Sequence, residues 1–264
     1  MDHSSIVITG ASSGIGAALA CSLAGAGRSL GLIGRDPARL EAVAQTCRSN
    51  GALCETAVMD VRDSVRLKSF LETFESRHPI DLIVANAGVL AGRPAHEPVE
   101  GSETARQVLE TNLLAAIDSV HAVLPGFRRR RRGDIVLVAS LAAFVPLTDA
   151  PAYSASKAGL MSYGLALREA VASEGIRVVV ACPGFVATAM AKMHIGPRPG
   201  EISAEDAAAR ILAGLERNQA LIGFPLVPFW LTRISLLAPE FVRRHGMRAT
   251  RFHVGPPQTP GALR

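Results

Sequence analysis

The stretch that decides the fold lies near the amino terminus and reads Ile6-Val7-Ile8-Thr9-Gly10-Ala11-Ser12-Ser13-Gly14-Ile15-Gly16. It opens with a continuous apolar run typical of a buried strand, and a helical pattern follows from Gly14 to about residue 25. The glycines between them have the spacing G-x-x-x-G-x-G. Gly10 would permit a tight turn, and Gly16 would let the helix pack closely against the strand.

The same turn is a candidate phosphate-binding site. The first N–H groups of a helix lack partners within the helix, and the helix dipole favours an anion such as a dinucleotide pyrophosphate there. Gly14 would let the backbone approach that group. A purely structural glycine turn is the alternative, but the strand–turn–helix context favours cofactor binding. The candidate contacts are Gly10, Ser12, Ser13, Gly14, Ile15 and Gly16.

Strand and helix patterns alternate along the rest of the chain. Strands are predicted at 30–33, 53–58, 81–85, 135–139, 177–182 and 220–223, and helices at 37–48, 64–77, 102–130, 153–174 and 204–218. Ser64 is the expected N-cap of its helix, and Pro125 is expected to bend or end the longest one. Strands that are apolar on both faces indicate a parallel sheet covered on both sides. The predicted fold class is α/β: a single Rossmann-type, doubly wound parallel sheet with helices on both faces.

This domain is expected to span residues 1–254, ending in an apolar and basic extension over about 224–254. The Pro- and Gly-rich residues 255–264 are expected to form a disordered tail. The 264 residues are 48% hydrophobic and 19% charged, which suits one sizeable core. Too few residues precede the first strand for a signal peptide, and no apolar window is long enough to cross a bilayer. We therefore expect a cytoplasmic protein.

Cysteine and charge patterns bear on other classes of function. The four cysteines form no CxxC pair and lie at no metal-binding spacing, so reduced thiols and no metal site are expected. The formal charge is +5, and much of the excess lies in the run Arg128–Arg132. No aromatic side chains alternate with these arginines to stack on bases, so a solvated helix end is favoured and no nucleic-acid partner is expected.

The end of the second strand, Gly34-Arg35-Asp36, bears on cofactor choice. An acidic residue there would bind the ribose 2′-hydroxyl of NAD, whereas an arginine would accept the 2′-phosphate of NADP. Arg35 is suitably placed, and Asp36 before Pro37 makes a credible helix N-cap instead. Both could also be surface residues that serve only the following helix. The pattern favours NADP(H) over NAD(H).

A second constellation has the residue types of proton-transfer chemistry. Tyr153 and Lys157 are i and i+4 on one predicted helix and share a face. A free tyrosine has a pKa of about 10, and a nearby ammonium would favour its phenolate. Ser140 lies at the carboxyl end of a strand, where its hydroxyl could polarise a carbonyl oxygen. A packed tyrosine beside a solvated lysine is the alternative.

Taken together, these motifs resemble those of the classical short-chain dehydrogenases/reductases. The resemblance runs from about residue 6 to residue 223 and rests on motifs in a specific order. They are the 9–16 turn, Asp60-Val61, Ala85-Asn86-Ala87-Gly88, Asn112, Ser140, Tyr153-x-x-x-Lys157 and Pro183-Gly184. Ala85 stands where the family usually has asparagine.

The resemblance implies a role for each matching residue. Tyr153 would be the acid or base, Ser140 the substrate anchor, Lys157 the partner of Tyr153 and of the nicotinamide ribose, and Asn112 the holder of a relay water. An asparagine that bonds its own helix backbone is the alternative for Asn112. The cofactor contacts implied besides the 10–16 turn and Arg35 are Asp60, Val61, Asn86, Ala87, Gly88, Tyr153, Lys157, Pro183, Gly184, Val186 and Thr188.

The substrate side is expected to be apolar and to suit a nonpolar carbonyl compound or secondary alcohol. The expected contacts are Ser140, Leu141, Phe144, Val145, Tyr153 and Phe185. Leu147, Met190 and Met193 are further candidates, although Leu147 and Met190 could equally be core residues. His194 is expected on a surface loop rather than as a second acid.

The sequence is also compatible with other functions. A catalytically inactive dinucleotide sensor on the same fold is one, although the complete set of catalytic residues argues against it. A membrane-surface reductase of lipid-like ketones is another, because the apolar 224–237 segment precedes Arg243-Arg244. A subunit interface or substrate lid is the favoured role for that segment. A homodimer or homotetramer is expected.

Overall fold

The computed structural model describes residues 3–94, 96–235, 237–240 and 253–254. Within them, seven strands form one parallel sheet in the order β3-β2-β1-β4-β5-β6-β8. The strands are β1 (Ser5–Thr9), β2 (Ser29–Gly34), β3 (Leu53–Val58), β4 (Leu82–Ala85), β5 (Gly133–Val138), β6 (Ile176–Pro183), β7 (His194–Ile195), β8 (Leu221–Phe224) and β9 (His253–Val254). β7 and β9 form a separate antiparallel pair. The predicted α/β fold class is confirmed.

Helices cover both faces of the sheet. They are α1 (Gly14–Leu23), α2 (Pro37–Ser49), α3 (Ser64–Arg77), α4 (Ser102–Leu109), α5 (Ala115–Arg130), α6 (Pro151–Val171), α7 (Ala204–Glu216) and α8 (Leu226–Ser235), with a π-helical turn at Glu110–Leu114. Leu71, Phe127 and Leu160 bury one face of the sheet, and Leu19 and Ile211 belong to the core on the other. The two-sided burial explains why the strands are continuous apolar runs.

The order of the strands creates the crevice in which a site can form. β1 pairs with β2 on one side and with β4 on the other. The chain therefore builds outward from β1 in both directions, and the connections that follow β1 and β4 leave on opposite faces of the sheet. In a doubly wound fold, ligands bind at this switch point, beyond the carboxyl ends of the strands.

The structure corrects one local expectation and excludes one of two outcomes expected for another. The α3 N-cap is Asp63, whose carboxylate accepts a hydrogen bond from the Arg66 backbone N–H at 3.0 Å, rather than Ser64. Pro125 does not end the long helix, since α5 continues to Arg130 and buries Leu124 and Phe127 around the proline. That burial outweighs the cost of roughly 3 kcal/mol that an interior proline brings.

The basic run at the end of α5 is tied to neighbouring elements. Arg128 donates two hydrogen bonds to the Glu174 carboxylate, and Arg130 contacts Glu75 and the Ile80 carbonyl oxygen. Arg131, in the left-handed conformation, caps α5 and donates to the Ser173 carbonyl oxygen. These contacts give the arginines a structural role at a helix carboxyl terminus, where cations are favourable.

The remaining expectations concern thiols, membranes and the carboxyl terminus. Cys47 and Cys182 are buried, Cys21 and Cys54 are half-buried, and all four are free thiols, as expected. Among the residues described, no helix is both long and apolar enough to cross a bilayer. The tail expected at 255–264 lies outside the described residues, whereas the extension at 224–254 contributes α8 and β9.

Asp134, at the start of β5, anchors two neighbouring segments and generates a stability prediction. Its buried carboxylate accepts hydrogen bonds from the Arg177 guanidinium at 2.6 and 2.5 Å and contacts His3. Asp134→Ala should cost about 2 to 3 kcal/mol in denaturant unfolding at pH 7, because it leaves two polar partners unpaired. Glu174→Ala, which breaks an exposed pair with Arg128, should cost under about 1 kcal/mol.

The Asp134 contribution should also depend on pH. Burial acts to raise the pKa of Asp134, but the hydrogen bonds from His3 and Arg177 hold it below its usual value. A lowered folded-state pKa gives stability that is present above the unfolded pKa and lost as the pH falls through the folded one. The difference between wild type and Asp134→Ala should therefore shrink in acid. A constant difference from pH 7 to pH 3 would contradict this assignment.

Candidate functional site

A cavity of about 940 Å³ runs along the carboxyl edge of the sheet. It runs from the ends of β3 and β2, past the glycine turn after β1, to the space between α6, the segment after β6, and α8. Nearly all the residues predicted from sequence to contact cofactor or substrate line it. Gly16, Asn112 and Phe144 do not.

The amino-terminal turn is fixed to the end of β4 by side-chain hydrogen bonds. The Thr9 hydroxyl oxygen accepts from the backbone N–H groups of Asn86 and Ala87, both at 3.0 Å. The Asn86 side-chain amide donates in return to the carbonyl oxygens of Thr9 and Gly10, at 3.1 and 3.2 Å. Asn86 therefore holds the two central strands together at the point where the crevice opens.

Three positions in this turn require glycine. Gly10 has a φ of +68°, and a Cβ there would lie 2.8 Å from the Ala87 Cα. Gly14 has a φ of +54°, and its Cβ would lie 2.8 Å from the Thr188 side chain. A Cβ at Gly16 would collide with the Gly10 carbonyl oxygen. Gly16 therefore lies behind the cavity wall and serves helix packing, as its sequence position indicates.

The amino terminus of α1 is available to an anion. Ser13 is the N-cap residue, and its side chain makes no capping hydrogen bond. Ser12, Ser13, Gly14 and Ile15 all line the cavity. The N–H groups of the first turn are thus not satisfied by their own cap, and the positive end of the helix dipole lies at the cavity wall. This geometry fits a phosphate or pyrophosphate.

Charged side chains line the end of the cavity that lies beyond β2 and β3. Arg35, Asp36 and Arg39 line it beyond β2, and Asp60 and Val61 line it beyond β3. The Asp36 carboxylate accepts from the Arg39 backbone N–H at 3.0 Å and thereby caps α2, as predicted. Arg39 also pairs with Asp36, their charged atoms 3.3 Å apart.

The Asp60 carboxylate is held in its ionised form. Burial acts to raise its pKa, but hydrogen bonds from the Arg62 side chain and backbone, together with the charge of Arg35, bring the pKa below its usual value. The Arg62 guanidinium lies 2.8 Å from Asp60. Asp60 thus offers a fixed acceptor at the cavity edge, near Arg35.

Ser140, Tyr153 and Lys157 meet where β5 ends and α6 begins. Ser140 interacts with the Tyr153 side chain in the direction that lowers the tyrosine pKa, and Ser140 Oγ accepts a hydrogen bond from the Ala142 backbone N–H at 3.1 Å. The Lys157 ammonium donates to the Val138 carbonyl oxygen at 2.9 Å and lies 5.8 Å from the centre of the Tyr153 ring. Lys157 is only 5% exposed, so its charge lies in a dry environment.

Burial favours the neutral forms of both Tyr153 and Lys157. It raises the pKa of Tyr153, with the Ser140 hydrogen bond acting in the opposite direction. It lowers the pKa of Lys157 to about 8. The expected lowering of the Tyr153 pKa is outweighed by desolvation, so that this pKa is raised on balance. Tyr153 is a protonated acid at neutral pH.

Asn112 lies in the π-helical turn between α4 and α5 and is fully buried. Its Oδ1 accepts from the Val89 backbone N–H at 2.7 Å, while its Nδ2 donates to the Val89 carbonyl oxygen at 3.0 Å and to Ser156 Oγ at 3.1 Å. The alternative, in which Asn112 bonds its own helix backbone, is wrong. Asn112 instead fixes the segment after β4 against α6.

Gly88 lies beside both Asn112 and Lys157, and its lack of a side chain leaves room for them. A Cβ at Gly88 would lie 3.3 Å from Asn112 Oδ1 and 3.5 Å from Lys157 Nζ. Asn112 therefore lies directly behind the Gly88 backbone and close to the lysine, outside the cavity surface itself. Its hydrogen bonds hold the segment after β4 against α6, and its predicted role in holding a relay water stays a prediction.

This geometry agrees with the comparisons with known proteins. The family model described as short chain dehydrogenase matches residues 4–196. The chain belongs to the short-chain dehydrogenase family.

Three individual relatives are similar to this chain over most of its length. An "uncharacterized oxidoreductase" of Myxococcus xanthus is 32% identical over 241 residues, which cover 91% of this chain and 94% of the relative. A short-chain dehydrogenase from Sphingobium yanoikuyae, solved in complex with NADPH, superposes with a TM-score of 0.77 at 25% identity and covers 94% of this chain and 96% of its own. A Mycobacterium paratuberculosis dehydrogenase bound to NAD shares the fold, with a TM-score of 0.76 at 24% identity over 86% of this chain and 97% of its own.

In this short-chain dehydrogenase the segment after β6 forms the wall opposite α6. Pro183, Gly184, Val186 and Thr188 line the cavity as predicted. Val186 pairs with Ile202 through an isolated bridge, and the Thr188 hydroxyl oxygen accepts from the Ala191 backbone N–H at 3.2 Å. The loop is thus fixed by its own turn as well as by the close approach of Gly14.

The half of the cavity between Tyr153 and α8 is mostly apolar. Leu141, Val145 and Phe185 line it as predicted, and so do Leu147 and Met190, which were undecided between cavity and core. Further lining residues with apolar or weakly polar side chains are Leu90, Met193, Pro197, Pro199, Pro225, Pro228 and Thr232. This surface suits a nonpolar compound.

Two substrate-side expectations need correction. Phe144 is buried in the core with its ring edge against Phe229, the centroids 5.7 Å apart, and does not reach the cavity. His194 is half-buried on the cavity wall, with its ring 4.8 Å from the Phe185 ring centre, rather than on a surface loop. Burial lowers the pKa of His194, although the Pro197 backbone hydrogen bond opposes this.

Sequence reasoning missed three residues that support the loop beside Tyr153. Arg93 Nε lies 2.5 Å from Asp149 Oδ1 in an ion pair. The Asp149 side chain is only 1% exposed. The Glu100 carboxylate accepts from the Ala152 backbone N–H at 2.5 Å and so satisfies the start of α6 from outside the helix. Their partners lie more than fifty positions away in sequence, so no local pattern marks them.

Proposed function

We propose that this chain transfers a hydride between NADP(H) and the carbonyl or carbinol carbon of an apolar ketone or secondary alcohol, with Tyr153 as the acid or base. The observation that carries this proposal is that Ser140, Tyr153 and the buried Lys157 come together on the cavity wall, with the Lys157 ammonium 5.8 Å from the centre of the Tyr153 ring. Membership of an oxidoreductase family supports the reaction type.

The residues fit a nicotinamide dinucleotide. The open amino terminus of α1 and its glycine turn would hold the pyrophosphate, with Asp60 and Val61 towards the adenine end. Pro183, Gly184 and Thr188 border the end nearest Tyr153. The cavity is long enough to join these groups in one continuous surface. When bound, the cofactor supplies or accepts the hydride.

The chain's own groups handle the oxygen and the proton. The Ser140 hydroxyl can donate a hydrogen bond to a substrate oxygen beside Tyr153 and orient the carbonyl. Tyr153, whose raised pKa keeps it protonated, can donate its phenolic proton to that oxygen during reduction and recover it during oxidation. Leu141, Val145 and Phe185 exclude water and select an apolar substrate.

Lys157 supports the tyrosine through charge. When Tyr153 gives up its proton, a phenolate forms within reach of the Lys157 ammonium in a dry site, where the attraction is stronger than in water. The same ammonium is close enough to Gly88 to contact a cofactor ribose in that part of the cavity. Asn112 holds the surrounding segment in place and touches neither reactant.

Arg35 supports the preference for NADP(H). It lines the cavity at the end of β2, and Asp36 is engaged as the α2 cap rather than presented to a ribose. A guanidinium matches the geometry and charge of a 2′-phosphate. Solved relatives of the fold carry NADPH in one case and NAD in another, so this preference rests on Arg35.

Tyr153→Phe should abolish turnover of an apolar ketone and leave NADPH binding nearly unchanged, because only the transferable proton is lost. The matched control is Tyr163→Phe on the same helix, whose buried hydroxyl has no hydrogen-bond partner. Steady-state kinetics and titration calorimetry measure the two effects. Retained turnover in Tyr153→Phe, or equal losses in both variants, would overturn the assigned mechanism.

The pKa of Lys157 predicts how kcat/KM for ketone reduction changes at alkaline pH. Its ammonium is present below its pKa of about 8 and is lost as the pH rises through that value. Because kcat/KM reports groups of the free enzyme, kcat/KM for ketone reduction should fall above pH 8. A profile that stays flat to pH 10 would show that the lysine charge is not needed.

Arg35→Ala should weaken NADPH binding by about tenfold or more and change NADH binding little, because a charge-assisted hydrogen bond contributes roughly 1.5 to 3 kcal/mol. Arg48→Ala, at the other end of α2 in an ion pair with Glu41, is the control. Dissociation constants for both cofactors are the measurement. An equal loss for the two cofactors, or a wild type that prefers NADH, would refute the preference.

A further inference from the structure

Helix α8 has two contrasting faces. Its inward face packs on the domain: Phe229 is buried against Gly223 and Phe144, while Pro228 and Thr232 line the cavity. Its outward face carries five large apolar side chains that are between 54% and 70% exposed. They are Leu226, Val227, Trp230, Leu231 and Ile234. A surface helix ordinarily turns polar residues outward, so a contiguous apolar face of this kind indicates a binding surface.

Positive charge accompanies this face. The Arg233 guanidinium lies 5.7 Å from the Trp230 ring centre and 5.8 Å from that of Phe229. The sequence from residue 225 onward contains six arginines and a single acidic residue, Glu240. The arginines are Arg233, Arg243, Arg244, Arg248, Arg251 and Arg264. An apolar helix face with a tryptophan and Arg233, in a carboxyl-terminal sequence that is rich in arginine, complements an anionic lipid surface.

The position of the face adds a reason for a lipid partner. Helix α8 borders the apolar half of the cavity, because Pro228 and Thr232 line it together with the preceding Pro225. Gly200 packs closely on Pro225, since a Cβ at Gly200 would lie 3.1 Å from Pro225 Cγ. The apolar outward face therefore borders the apolar cavity. Nonpolar compounds concentrate in bilayers because burial removes their surface from water.

We propose that the outward face of α8 docks onto the surface of an anionic phospholipid bilayer. The helix lies in the interface plane, with Trp230 and Leu231 among the acyl chains and Arg233 near the headgroups. This is peripheral attachment, and it does not depend on the proposed reaction, because binding is measured without turnover.

The chain contains a single tryptophan, Trp230, which reports directly on this face. The full chain is titrated with vesicles of phosphatidylcholine alone and of equal parts phosphatidylcholine and phosphatidylglycerol, and tryptophan emission is recorded. We expect a blue shift that is stronger with the anionic vesicles and weaker in high salt. Leu231→Glu should reduce vesicle partitioning roughly tenfold, since a charge replaces a leucine that would insert among the acyl chains.

Val65→Glu is the matched control, because Val65 is 77% exposed on α3, away from this face, and it should bind vesicles like wild type. If neither vesicle type produced a blue shift, the proposal would be overturned. So would a blue shift that grows with protein concentration in the absence of lipid, together with a dimer by light scattering that Leu231→Glu dissociates. In that case a second copy of the chain covers the face.

Discussion

The hydrogen-bonded link between Thr9 and Asn86 is the interaction on which the rest of the site depends. It ties the end of β1 to the end of β4, where the order of the sheet reverses. The left-handed backbone of Gly10 then turns the chain into α1 without obstructing the crevice. Because both strands are parallel, the same edge also receives β5 and β6, which carry Ser140 and Pro183. The glycine turn and Tyr153 thus line one continuous cavity.

Desolvation is the second organising effect, and it is the largest influence on the pKa values of Tyr153 and Lys157. Tyr153 and Lys157 sit on one face of α6, and burial moves the pKa of each towards its neutral form. A tyrosine that stays protonated is suited to donate a proton, and a nearby lysine can stabilise the phenolate that remains. The buried contacts of Asn112, Asp149 and Glu100 hold the segments around α6 and thereby fix this geometry.

The sequence predicted most of the fold and most cavity residues because their signals are local. The bounds of β3 and α3 are those expected, and the i, i+4 relation of Tyr153 and Lys157 follows from helical geometry. The failures concern contacts that no local pattern encodes. Phe144 and Val145 are neighbours, yet only Val145 faces the cavity, because Phe229 from α8 packs over Phe144. His194 reaches the cavity wall beside Phe185, which a loop sequence alone does not reveal.

The central claim is that the cavity between the glycine turn and Tyr153 carries out hydride transfer to an apolar ketone. The most direct measurement follows the hydrogen itself. NADPH carrying deuterium at the transferable position is incubated with an aryl alkyl ketone, and the alcohol product is analysed by mass spectrometry and NMR. The account predicts one deuterium on the carbinol carbon, with a single product configuration. An alcohol without deuterium, or cofactor consumed with no alcohol formed, would contradict it.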